Sequence, residues 1–181
     1  MTFLYDNLEN PRTIVVLGTA YTPDRCDASP TVNVLKTKHM NLDLVDKTKD
    51  LPVFIEHDDK YPIGKVVKTF LDEKRNLNAF LEISGNKLVN SKLPATLEID
   101  PHTNQRYYSG ISMGTDVLLD ETSKCYTHVK EVRPKELSIV KTPDRPNALI
   151  RNHWLVPRDQ DVHEFVQKQC ENLNLIEFDY K

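Results

Sequence analysis

Eleven prolines spread along 181 residues leave few windows long enough for a helix, because proline has no backbone N–H to donate and its ring collides with the preceding turn. Between them lie short runs rich in Val, Ile, Thr and aromatic residues, bounded by turn formers, which is how strands read. The runs are Thr13 to Leu17, Val53 to Ile55, Lys65 to Phe70, Leu77 to Ile83, Tyr107 to Leu119, Tyr126 to Val132, Leu137 to Val140 and Ala148 to Leu155. Two links, Asp72 to Asn76 and Asp120 to Lys124, have hairpin chemistry. The predicted fold is mainly β with few helices (α+β): an antiparallel β-barrel, closed or nearly closed, with peripheral helices.

Two helices are predicted. Asp159 caps one in which Val162, Phe165, Val166 and Cys170 recur at three- and four-residue spacing, giving one apolar stripe that either packs on the sheet or forms a dimer contact. The other runs from Asn86 to Lys92 and ends before Pro94. Residues 22 to 50 read as a long, irregular connection. The length suits a single domain over 1–181.

Charge and hydropathy narrow the function classes. With 24 Lys+Arg against 27 Asp+Glu the net charge is -3 and the basic residues are scattered, so no nucleic-acid partner is expected. No apolar run approaches the roughly 20 residues of a membrane span, and the N-terminus lacks a basic and apolar leader, so no membrane partner and no secretion are expected. Cys26, Cys125 and Cys170 are an odd number and form no Cys-x-x-Cys pair, which suits a reducing compartment and no metal.

Three segments carry chemistry. In Leu51 to Val66, period-two alternation puts Val53, Ile55 and His57 on one face, so His57 extends a core-facing row where the strand ends. It is either a satisfied core histidine or a shielded, reachable base. In Tyr107 to Thr115, Gly110, Ser112 and Gly114 share one face of a strand. Glycines weaken a strand, so a pair flanking a serine suggests that a substrate carbonyl approaches the backbone there. Serine needs a base to become a nucleophile. In Arg133 to Ile150, Glu136, Ser138 and Val140 share a face, and Glu136 can reach toward a histidine as the acid that fixes its tautomer, unless it is simply exposed.

Taken together the segments resemble viral capsid maturation serine proteases. His57-Asp58-Asp59, with Gly64 seven positions on, is similar to the histidine segment of herpesvirus assemblins, and Gly110-Ile111-Ser112 to their serine strand. Gly-Ile-Ser-Met-Gly, and Glu-Leu-Ser-Ile-Val followed by Pro-x-x-Pro-x-Ala, resemble phage prohead proteases more closely. The similarity covers roughly residues 51 to 150, with residues 13 to 20 looking like the family's first strand.

The resemblance implies a serine endopeptidase with Ser112 as nucleophile, His57 as base and Glu136 as orienting acid. His128, sixteen residues after the serine, is the alternative third member, since assemblins use a second histidine. Arg145 and nearby amides are the candidates for the oxyanion site. No cofactor is implied. Expected substrates are scaffold and major capsid proteins and the protease itself, inside an immature capsid within the host cell, with a homodimer as a family expectation. The alternative is a non-catalytic capsid or tail β-barrel protein.

Overall fold

The computed structural model describes residues 12–22, 43–84, 87–119 and 129–178. Seven strands form one sheet: β1 (Ile14–Tyr21), β2 (Pro52–Ile55), β3 (Gly64–Leu71), β4 (Leu77–Ile83), β5 (Gly110–Leu119), β6 (Val129–Val140) and β7 (Ile150–Leu155). Their order across the sheet is β5-β6-β2-β3-β4-β1-β7. Two expectations are corrected here. The sheet is mixed, because β2 runs parallel to β6 while the other ladders are antiparallel. It also curls without closing into a barrel: among the described residues, β5 meets the β7 side at a single bridge, Gly110 to Leu149, just before β7 begins.

The curl gives the sheet two apolar faces. The inner one gathers Ile14, Val16, Val53, Leu81, Ile111, Leu137 and Ile139, all 0% exposed. The outer one, over β1, β3 and β4, gathers Val15, Leu17, Phe70 and Phe80. Because both faces of β1 are covered, Ile-Val-Val-Leu reads as an unbroken apolar run rather than an alternating one. Side chains buried this completely contribute about 1.5–3 kcal/mol each for Val, Leu, Ile or Phe, so two cores anchor the curl on which the functional residues sit.

Among the described residues three helices cover the faces: α1 (Asp43–Thr48), α2 (Lys87–Leu97) and α3 (Val162–Asn172). The C-terminal helix carries its predicted stripe inward, with Phe165, Val166 and Cys170 buried in the outer core. The stripe is therefore spent on the chain's own sheet. Its cap is Asp161, not Asp159: the Asp161 carboxylate accepts from the Glu164 N–H at 3.1 Å. Proline did not stop α2, which passes through Pro94 to Leu97. Burial of Leu93 and Leu97 in the inner core outweighs the one backbone hydrogen bond that Pro94 removes. Within the segment read as irregular, α1 docks through Leu44, 2% exposed.

A further difference lies in β6. Arg133-Pro134 separates two runs in the sequence, yet one strand threads both. The register shifts between Gly114 and Thr115, which pair with Glu136 and Pro134, so Lys135 is the extra residue of a bulge. A bulge is where a strand tolerates proline, and it re-aims the residues beside it. Of the predicted hairpins, the one at Asp72 joins β3 to β4, while Asp120 to Lys124 lies outside the described residues.

Candidate active site

Two strands and a turn build the site. β5 and β6 pair antiparallel with Ser112 opposite Ser138 and Gly114 opposite Glu136, so these four residues share one face. Ile111, Leu137 and Ile139 project to the other face, into the inner core, and lock the register. On the far side of β6, β2 adds Phe54 beside Ser138.

His57 reaches the same face by a different route. β2 ends at Ile55, and Glu56 and His57 both have positive φ, 50° and 60°. With the Asp58 N–H donating to the Ile55 carbonyl at 2.9 Å, these four residues make a tight turn whose two central residues are left-handed. His57 thus leaves the core-facing row of Val53 and Ile55, correcting the alternation expected from the sequence. Its side chain is 42% exposed, so it is an open base rather than a shielded one. Left-handed backbone costs residues other than glycine about 1–2 kcal/mol each. Bonds from the next strand hold it: the Glu56 N–H donates to the Ile139 carbonyl at 3.0 Å and the His57 N–H to Ser138 Oγ at 3.2 Å.

The turn brings three side chains into one line. His57 Nε2 lies 3.0 Å from Ser112 Oγ, and His57 Nδ1 lies 2.5 Å from Glu136 Oε1. An ionised carboxylate can only accept, so Nδ1 carries the hydrogen and Nε2 is free to accept from the serine hydroxyl. Ser112 is 6% exposed and the Glu136 side chain 12%, so the nucleophile and the acid are covered while the imidazole meets solvent. This is a geometry in which a hydroxyl proton can pass to imidazole as the oxygen attacks, with the carboxylate steadying the imidazolium. Asp58, next in sequence, turns its carboxylate to the Lys60 N–H at 3.2 Å.

The flanking glycines have a different reason from the expected one. A Cβ on Gly114 would stand 2.1 Å from Glu136 Oε1, and one on Gly110 would stand 2.5 Å from Pro143 Cγ and 2.7 Å from the Ala148 carbonyl oxygen. The space beside the serine is thus filled by the chain itself, and Gly114 is the floor on which the Glu136 carboxylate lies. Only the β5–β6 register reveals this; the sequence showed a small residue without showing what needed the room.

Arg145 lies in the loop between β6 and β7. Its guanidinium donates to the Thr22 carbonyl at 2.5 Å and the Tyr21 hydroxyl at 2.8 Å, and lies 3.8 Å from the Tyr21 ring centre. A guanidinium so occupied would have to leave Tyr21 to meet an oxyanion. His128 lies outside the described residues. Among the described residues no group of three or more His, Cys, Asp and Glu side chains is arranged to hold a metal. No helix among them is long and apolar enough to cross a membrane.

No protein-family model and no curated protein matches the chain. Among solved structures the chain is similar to KSHV protease in complex with a hexapeptide phosphonate inhibitor, at 13% identity and a TM-score of 0.49, over 90% of this chain and 77% of that one. It is also similar to the Kaposi's sarcoma-associated herpesvirus protease in complex with a dimer disruptor, at 12% identity and a TM-score of 0.43, over 86% and 80% of the two chains. A third match, the same viral protease with an allosteric inhibitor, has 12% identity and a TM-score of 0.44 over 93% and 94%. With likeness this distant, function rests on the side-chain geometry.

Proposed function

We propose that this chain is a serine endopeptidase in which Ser112 is the nucleophile, His57 the general base and Glu136 the acid that orients it. The observation carrying this reading is the continuous hydrogen-bonded line from Ser112 Oγ through both ring nitrogens of His57 to Glu136, at 3.0 and 2.5 Å. Peptide hydrolysis then runs in two acyl-transfer steps. Ser112 Oγ attacks the scissile carbonyl as His57 Nε2 takes its proton, and the imidazolium returns that proton to the leaving amine. Water, deprotonated by the same nitrogen, then frees the acyl group.

The base meets solvent on a strand face, which suits an extended chain as substrate. Small ligands favour concave, enclosing sites, whereas an extended chain can be cut on a strand face. The finer assignment to scaffold and capsid proteins, to self-cleavage, to a homodimer and to the interior of an immature capsid in the host cell rests on the sequence resemblance to capsid maturation proteases.

The test is covalent labelling. A fluorophosphonate probe is expected to modify Ser112, identified by peptide mass mapping, and Ser112→Ala and His57→Ala should each abolish labelling and lower peptide turnover by about a million-fold. A folded wild-type chain that neither labels nor cleaves would return the protein to the non-catalytic capsid or tail alternative.

A further inference from the structure

We propose that Ser138 is a positioning residue for this reaction, tying the backbone of the base to the carboxylate that orients it. The inference rests on the active-site reading above and extends it to a residue that touches neither the substrate nor the reacting atoms. Ser138 is 0% exposed and stands on β6 directly opposite Ser112. Its hydroxyl donates to Glu136 Oε2 at 2.6 Å and accepts the His57 backbone N–H at 3.2 Å.

One hydroxyl can serve both partners because it has a single hydrogen and two lone pairs. The division of labour follows. Glu136 Oε1 faces His57 Nδ1 and Oε2 faces Ser138, so the carboxylate is gripped at both oxygens and cannot rotate without breaking a bond. The second contact falls on His57, the second left-handed residue of the turn, where backbone would otherwise relax away from positive φ. Ser138 thus fixes the acid and the base relative to each other from beneath. A buried hydroxyl serving only its own burial needs one partner of any kind. Here both partners belong to the catalytic line.

The experiment measures the second-order rate of Ser112 phosphonylation by a fluorophosphonate, together with kcat and KM on a cleaved peptide. Ser138→Ala is expected to slow phosphonylation and lower kcat about tenfold to a hundredfold, the size of one lost hydrogen bond to a charged group, with KM unchanged. Ser138→Cys nearly keeps the volume but has only a weak donor, so it should show the same loss, and it reads the effect if the alanine variant fails to fold. Ser138→Thr keeps the hydroxyl and should stay within about threefold of wild type on the same hydrogen-bond argument. In a Glu136→Gln background, Ser138→Ala should cost less than in the wild type, because one of its two contacts is to that carboxylate. Wild-type rates in folded Ser138→Cys or Ser138→Ala, or losses that multiply in full with Glu136→Gln, would overturn the positioning role alone. Absence of labelling in the wild type would overturn it together with the active-site reading.

Discussion

The hairpin at Asp72 and the turn at His57 both bend the chain tightly with residues other than glycine at positive φ, yet they are held in opposite ways. In the first, Arg75 has φ 60° and the turn carries its own support. The Asp72 carboxylate accepts the N–H groups of Lys74 and Asn76 at 2.9 and 3.0 Å and the side-chain amides of Asn76 and Asn78 at 3.0 and 3.2 Å. In the second, Glu56 and His57 lean on Ile139 and Ser138, more than eighty positions away in the chain. A turn that supports itself can be placed anywhere, whereas one supported by a neighbouring strand appears only where that strand is. The second kind delivers the histidine, and it ties the position of the base to the strand bearing its acid.

The largest effect is expected from cutting the link between turn and strand at its acid. Glu136→Gln should lower kcat by about 10⁴-fold, the order seen when a triad acid becomes an amide, while His128→Ala changes it little; steady-state kinetics on one peptide would show both. The reverse ranking would transfer the orienting role to His128. Gly114→Ala should follow, with a loss of about 10²-fold or more, because its methyl would displace the Glu136 carboxylate from beneath His57. A variant that folds, binds and turns over normally would show that the carboxylate has room elsewhere.

Smaller effects separate the two turns by stability. Asp72→Ala should cost about 2 kcal/mol in denaturant unfolding, since it strips the hairpin of its acceptors. Glu56→Gly should move stability by less than about 1 kcal/mol. It relieves left-handed strain and gives up only an exposed contact, from the Lys141 N–H to Glu56 Oε1 at 2.7 Å. If instead Glu56→Gly is the costlier change, the catalytic turn supports itself and the contrast fails. Acid titration adds a sign. Burial pushes the Asp72 carboxyl up, but hydrogen bonds from Asn76, Asn78 and Lys74 outweigh it and hold the group below its ordinary 3.8. Its contribution is therefore present above the unfolded value and lost as pH falls through the folded one, so Asp72→Asn should flatten the acid side of the stability profile.

How legible each part was follows from the range of the forces involved. Strand runs such as Leu77 to Ile83, the Asp72 hairpin and the stripe of α3 were visible because β-forming composition, turn chemistry and helical spacing act over a few residues. The common face of Ser112 with Gly114, and of Glu136 with Ser138, was visible for the same reason: side chains in a strand alternate with period two. What lay out of reach was anything set by a partner distant in the chain. The course of α2 through Pro94 was fixed by the inner core that buries Leu93 and Leu97.

Sequence alone therefore determined the residue types, their order and the face each strand presents. Tertiary structure decided three further things: that β2 runs parallel to β6, that the turn after Ile55 is left-handed, and that the Gly114 space belongs to Glu136. All three depend on β6 lying between β5 and β2. That adjacency joins segments far apart in the chain, and no local propensity encodes it; it is fixed by burying Val53, Ile111, Leu137 and Ile139 in one core.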